Sequence, residues 1–224
     1  MTVRTAVAAA AAVALACAAC AGKLPDTRYY QLAAPDAKVR GGDAMLVLEA
    51  LTTDAAYDDD RIVYRTTPFR IDYYQYHRWS SAPGVMVGNY LEQAFEHSGK
   101  FRAVVRDSAP DAPVILTGRV LAIEEVDRSK TEWVGRIVLE LLLTDARSGE
   151  ALWTEQFEET EPLGQQSPEG LAAALSVAMA RIVARTVPVV ADLTDRQIRA
   201  HAEPAAAAAT TRRRPAGDPA TTRR

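Results

Sequence analysis

The chain has 224 residues, a formal net charge of −3 and 48% apolar residues. That length allows one well-buried domain with tails, and that apolar share argues against general disorder. A membrane channel is excluded, because the one long apolar run, residues 6–16, is eleven residues long where a spanning helix needs roughly 20.

The apolar run follows Met1 and Arg4 and reads as the h-region of a signal peptide. Cys17 and Cys20 are the only cysteines, so the body beyond them can form no internal disulfide. Both follow small residues, Ala14-Leu15-Ala16-Cys17 and Cys17-Ala18-Ala19-Cys20, as in a lipoprotein signal. Cys20 has the better pair of small residues and the shorter path to the first strand. Cys17 has the more compact h-region and is the alternative. Residues 1–19 are therefore expected to be a lipoprotein signal peptide and residues 20–27 a linker. A cysteine carrying three acyl chains of palmitate type gains ~0.8 kcal/mol per buried CH₂, enough to hold a protein on a membrane without a spanning helix. Neither Ala18 nor Ala21 is the aspartate that retains lipoproteins at the inner membrane, so the outer membrane is the expected destination. A C-x-x-C redox or metal motif would need a preceding strand or a second ligand pair, and the surrounding alanine run offers neither. Ordinary secretory cleavage after Ala19 or Ala21 is the plainer alternative.

Tyr29-Tyr30-Gln31-Leu32 opens the body as a strand, and residues 45–51 form an apolar strand whose lack of alternation predicts burial on both faces. Asp58-Asp59-Asp60 lacks the alternating acids, turn glycine and distal glutamate of a calcium loop, so it reads as a solvated turn. Residues 61–101 follow as two strands feeding one amphipathic helix. Ile62, Tyr64 and Thr66 alternate with Val63 and Arg65; Ile71, Tyr73, Gln75 and His77 alternate with Asp72, Tyr74, Tyr76 and Arg78. Trp79 closes the run. Ser80 or Ser81 offers an N-cap oxygen, Pro83 suits the first turn and Gly99 the stop. Val87, Tyr90, Leu91, Ala94 and Phe95 share one face at helical spacing and must pack on a sheet.

In this block the chain resembles a family. The R-x-V-Y-R strand (Arg61, Val63, Tyr64, Arg65), the strand with Arg70, Tyr73, Tyr74, Arg78 and Trp79, the Pro83-led helix ending at Gly99, and Phe101 after it are similar to the ABC-type transport auxiliary lipoproteins, the PqiC-like proteins. The resemblance runs from about residue 28 to about residue 188. It implies an accessory role in an ABC/MCE-type system that moves lipids or other hydrophobic compounds between membranes. It also implies an MCE-domain protein, an ABC permease and an ATPase subunit as partners, with self-assembly of the lipoprotein into a homo-oligomer as an option.

Beyond Phe101 come a short strand (101–105), a Pro-rich connector, and three long strands at residues 114–126, 132–144 and 151–159. Ile137, Leu139, Leu141 and Leu143 share a face with Trp133 and Gly135, and Trp153 and Phe157 repeat the stripe, which predicts an antiparallel meander with one face on the core. Residues 168–187 read as a second helix, capped by Ser167, with Leu171, Leu175, Ala178, Met179 and Ile182 as its stripe. That stripe suits a core helix or a subunit interface. A short helix at residues 192–200 and a disordered Ala/Pro/Arg tail complete the chain. The tail, residues 201–224, holds five arginines against two acids, so the mature body without it carries −7. Such a body lacks the electrostatic footprint of a nucleic-acid binder.

No catalytic set emerges. His77, His97 and His201 fall in a strand, at a helix end and in the tail, and no G-x-S-x-G turn surrounds Ser80 or Ser81. Glu124, Glu125, Asp127, Glu155, Glu158, Glu159 and Glu161 crowd strand ends, where a carboxylate pair would be needed for glycoside hydrolysis. Walker, dinucleotide and H-E-x-x-H motifs are missing, so no cofactor or metal is expected and any ATP chemistry belongs to a partner. Tyr74, Tyr76, Arg78 and Trp79 are the candidate docking residues for a partner or lipid, with core packing as the competing role.

The expected fold is α/β: a mixed sheet with a C-terminal antiparallel meander and two main amphipathic helices packed on it, over residues 28–190, with a short helix and tail at 191–224. The expected function is a non-enzymatic outer-membrane lipoprotein assisting intermembrane transport. The alternative is a structural or assembly lipoprotein that binds envelope components and transports nothing.

Overall fold

The computed structural model describes residues 25–35, 41–106 and 108–212. Cys17, Cys20, the expected signal peptide and the last twelve residues lie outside them. The chain forms a nine-stranded mixed sheet built on one long strand, β7 (Val114–Asp127). Along one edge of β7 lie, in succession and all parallel to it, β2 (Met45–Leu48), β3 (Thr52–Thr53) and β4 (Arg61–Thr67). Along its other edge β8 (Trp133–Asp145) runs antiparallel for the full length, followed by β9 (Ala151–Pro162). Beyond β4 lie β5 (Arg70–Trp79) and β1 (Arg28–Tyr30), and beyond β2 lies β6 (Ala103–Val105). The mixed sheet and the antiparallel meander of the sequence reading are both present. The two strands flanking the first helix do not pair with each other, since β4, β7 and β2 separate β5 from β6.

Two helices, α1 (Pro83–His97) and α2 (Pro168–Arg212), cover one face and touch each other. The expected stripes are the buried ones. Val87, Leu91 and Phe95 of α1 and Leu171, Leu175, Ala178, Met179 and Ile182 of α2 are fully enclosed. They meet Ile137, Leu139, Leu141 and Leu143 of β8, also fully enclosed. In β2 the unbroken apolar run is buried on both faces. Gly135 lets α2 sit against β8: a Cβ there would lie 3.2 Å from Leu171 and 3.3 Å from Ala174. Gly135→Val is expected to push the helix off the sheet and cost about 1–2 kcal/mol in urea denaturation; an unchanged midpoint would mean that the packing is looser than drawn.

The helix ends differ from expectation in two places. Neither serine caps α1: its N-cap is Ala82, which makes no side-chain bond, and Pro83 alone marks the start. Ser167 does cap α2, its Oγ accepting the Gly170 N–H at 3.0 Å. The expected stop near residue 187, separate short helix at 192–200 and disordered stretch from 202 are replaced by one helix running to Arg212. Pro188 removes one backbone donor inside it, which costs ~3 kcal/mol in an exposed helix. Here Val187, Val190 and Thr194 are buried on either side of the proline, so tertiary contacts hold the helix together across it. Alanines beyond need only propagate a helix already nucleated.

Within residues 168–202 of α2 an 18-residue window is apolar enough to cross a membrane by length and composition, with a mean hydropathy of 1.6. Its stripe is nonetheless spent on the sheet. Arg181 binds Glu159 and Glu161 of β9 at 2.9 and 2.7 Å, and Arg185 binds Glu159 at 2.8 Å.

Candidate functional site

The expected docking residues do not form one surface. Between the Val63–Tyr73 and Arg61–Arg78 pairs the register of β4 against β5 slips, which breaks the period-two alternation. As a result Tyr74, Tyr76 and Arg78 are all half-buried. The Tyr74 ring packs 5.0 Å from Tyr64 and edge-on to His77, and its hydroxyl donates to Glu125 at 3.2 Å. Burial and then the Glu125 charge push its phenol well above the usual range. Arg78 pairs with Asp60. Trp79 is 1% exposed and belongs to the buried core cluster, so it is a core residue and not a docking one.

The Asp58–Asp60 turn is likewise committed to arginine. Asp59 receives Arg61 through both its backbone N–H and its guanidinium, which hold the carboxyl down at about 2. Asp60 receives Arg78.

Adjacent glutamates on β7 point to opposite faces of the sheet and have different surroundings. Glu124, on the face away from the helices, is fully enclosed. It accepts the Tyr57 hydroxyl at 2.7 Å, Arg65 Nε at 3.1 Å and Arg136 Nη1 at 2.8 Å. Tyr57 is pushed up to about 12 by burial and by Glu124. Arg136 reaches onward to Glu158 at 2.7 Å. Two of the strand-end glutamates, Glu124 and Glu158, are thus bridged by a guanidinium. A carboxylate whose oxygens already take three donors is poorly placed to collect a proton from a substrate. A cleft of about 540 Å³ opens beside this network, lined by Arg65, Thr67, Pro68, Val126, Arg128 and Arg136.

Glu125 lies on the helix face and is also fully enclosed, with Tyr74 at 3.2 Å and Gln166 Nε2 at 3.5 Å. Burial first, and then the charge of Asp127 two residues on, raise it from the ordinary 4.5 to about 7. Asp127 Oδ1 is itself buried without a hydrogen-bond partner. Like-charged carboxyls in one dry site favour a bound proton.

At the far end of the sheet, Asp145 is 2% exposed. It accepts the N–H groups of Arg147 and Ser148 at 2.7 and 2.6 Å, and lies 2.6 Å from His201 Nε2 and beside Gln197 Nε2. Burial works against its charge. The Ser148 and Arg147 N–H groups and the imidazole prevail and hold it well below the usual carboxylate range. This cluster ties the end of α2 to the β8–β9 turn. His201, which the sequence places in a tail, belongs to the fold. Tyr57 and Arg136 also escaped the sequence reading, and Arg65 entered it only as a motif residue of its strand; the available hint was an arginine at position 136 inside a largely apolar strand. Among the described residues no group of three or more His, Cys, Asp or Glu is arranged to hold a metal ion.

The family model described as "ABC-type transport auxiliary lipoprotein component" matches residues 30–187. The chain belongs to this family. Protein XCC0632 from Xanthomonas campestris, a DUF330 protein, shares its fold at a TM-score of 0.68 and 19% identity, over 77% of this chain and 99% of that one. A second solved structure, of an uncharacterized protein, matches at a TM-score of 0.61 and 16% identity, over 74% and 99%. No curated protein matches the chain. The transport auxiliary domain defined by the family takes in both β7 glutamates and Asp145, whereas Gln197 and His201 fall beyond it.

Proposed function

We propose that this transport auxiliary lipoprotein is acylated at Cys20 and held on the periplasmic face of the outer membrane. There it serves an ABC/MCE-type system that carries lipid or another hydrophobic compound between membranes. The observation that carries the reading is the family match across residues 30–187, which spans almost all of the folded domain. Its partners in this reading are an MCE-domain protein, a permease and an ATPase, and the chain itself catalyses nothing. Three of the strand-end carboxylates are engaged with arginines, Glu124 and Glu158 through Arg136 and Glu159 through Arg181, in keeping with a scaffold role.

Co-purification in mild detergent tests the role. Recovery of MCE-domain and permease subunits is expected; recovery of envelope polymer or assembly proteins without them would favour the structural lipoprotein instead. Fractionation tests the anchor. Cys20→Ala is expected to move the protein from the membrane to the soluble periplasmic fraction, and the same release by Cys17→Ala alone would move the acylation site.

A further inference from the structure

Phe69 is 97% exposed at the tip of the β4–β5 hairpin. The tip is braced, since Arg65 Nη1 donates to the Pro68 carbonyl at 2.9 Å and the Phe69 N–H to Thr67 Oγ1 at 3.3 Å. A whole phenyl ring held out in water by an ordered turn contributes nothing to this fold. Beside it stand Arg70, with 66% of its side chain exposed, and, from the β7–β8 turn, Arg128 at 49% and the exposed Lys130. Asp72 and Glu132 pair with the two arginines. Both turns lie at one end of the sheet, because β4 and β7 run parallel with Arg65 opposite Val126.

Strand direction puts the N-terminal chain at the same end. β1 runs parallel to β5 with Arg28 opposite His77, so the polypeptide enters β1 from the side of the hairpin tip. Seven residues of β5 separate Arg70 from His77, at most ~23 Å. Eight residues separate Cys20 from Arg28, with a reach of at most ~29 Å. An acylated Cys20 can therefore lie in the same plane as Phe69, while the α2 end at Asp145 points the opposite way.

We propose that the Pro68–Phe69 tip is a second membrane contact, inserting its ring into the lipid interface beside the acyl anchor and setting the orientation of the domain on the bilayer. An aromatic ring flanked by cationic side chains suits the headgroup boundary, where the ring leaves water and the charges stay in it. The proposal rests on acylation at Cys20.

In the acylated protein Cys20 is blocked and, with Cys17 removed in the signal peptide, no other thiol remains, so Phe69→Cys carries a single environment-sensitive label. Glu150→Cys, in the β8–β9 turn, labels the opposite end. On vesicles of phosphatidylethanolamine and phosphatidylglycerol containing a lipid-borne quencher, the label at 69 is expected to be quenched several-fold more than the label at 150. Equal quenching in protein that floats with the vesicles overturns the tip contact and leaves the anchor standing. A label at 69 shielded only after envelope proteins are added also overturns it, in favour of a protein partner. A protein with an unmodified N-terminus by mass that fails to float overturns both.

Discussion

Arg136→Met is expected to lower unfolding stability by about 3 kcal/mol. The guanidinium is 30% exposed but holds Glu124, whose side chain is fully enclosed, and it couples Glu124 to Glu158 across β7, β8 and β9. Removing one partner of a buried pair costs ~3–5 kcal/mol because the remaining charge stays in the dry site. Arg65 and the Tyr57 hydroxyl still reach Glu124, which puts the loss at the low end of that range. Glu124→Gln in the same chain is expected to recover part of the loss. A double-mutant cycle by urea denaturation with a coupling below ~0.5 kcal/mol would show that the two groups act independently.

Glu125→Gln is expected to stabilise the protein at pH 8 and to flatten its stability profile between pH 4.5 and 7. The folded chain holds the Glu125 proton up to about pH 7, against an ordinary value of 4.5. Below that ordinary value the group is protonated whether the chain is folded or not, and nothing is lost. Between that value and about 7 the unfolded chain has given up the proton that the folded chain still holds, so stability falls as pH rises, by on the order of 3 kcal/mol once the folded chain carries the charge in its buried site beside Asp127. Glutamine keeps one of the two acceptor oxygens and cannot ionise, and its amide can donate to the Asp127 oxygen that now has no partner. Denaturation curves across this pH range provide the measurement; a variant with the wild-type slope would place the titrating group elsewhere.

Both glutamates stand in the sequence as neighbours among many acids, and nothing local separates them. Alternation along β7 sends them to opposite faces, but their surroundings come from the turn before β4, from β4, β5 and β8, and from the loop before α2. Those partners are 12 to 67 residues away in the chain. The stripes of α1, α2 and β8 were legible because each is a periodic pattern inside one element, and burial acts on whole faces. Tyr74, Tyr76 and Trp79 were harder to assign, since the register slip against β4 ended the alternation on which a face assignment depends.

The chain alone was enough to establish a mixed α/β domain, the family it belongs to and the residues of its core stripes, because hydrophobic periodicity and local turn chemistry are written in consecutive residues. Tertiary structure decided which strands are neighbours, that α2 continues past Pro188 to latch on Asp145 through Gln197 and His201, and that Glu124 and Glu125 face different chemistries. Each of these depends on contacts between segments far apart in the chain. Their free energy comes from shared burial and paired charge, which no single segment possesses before the sheet and helices close on one another.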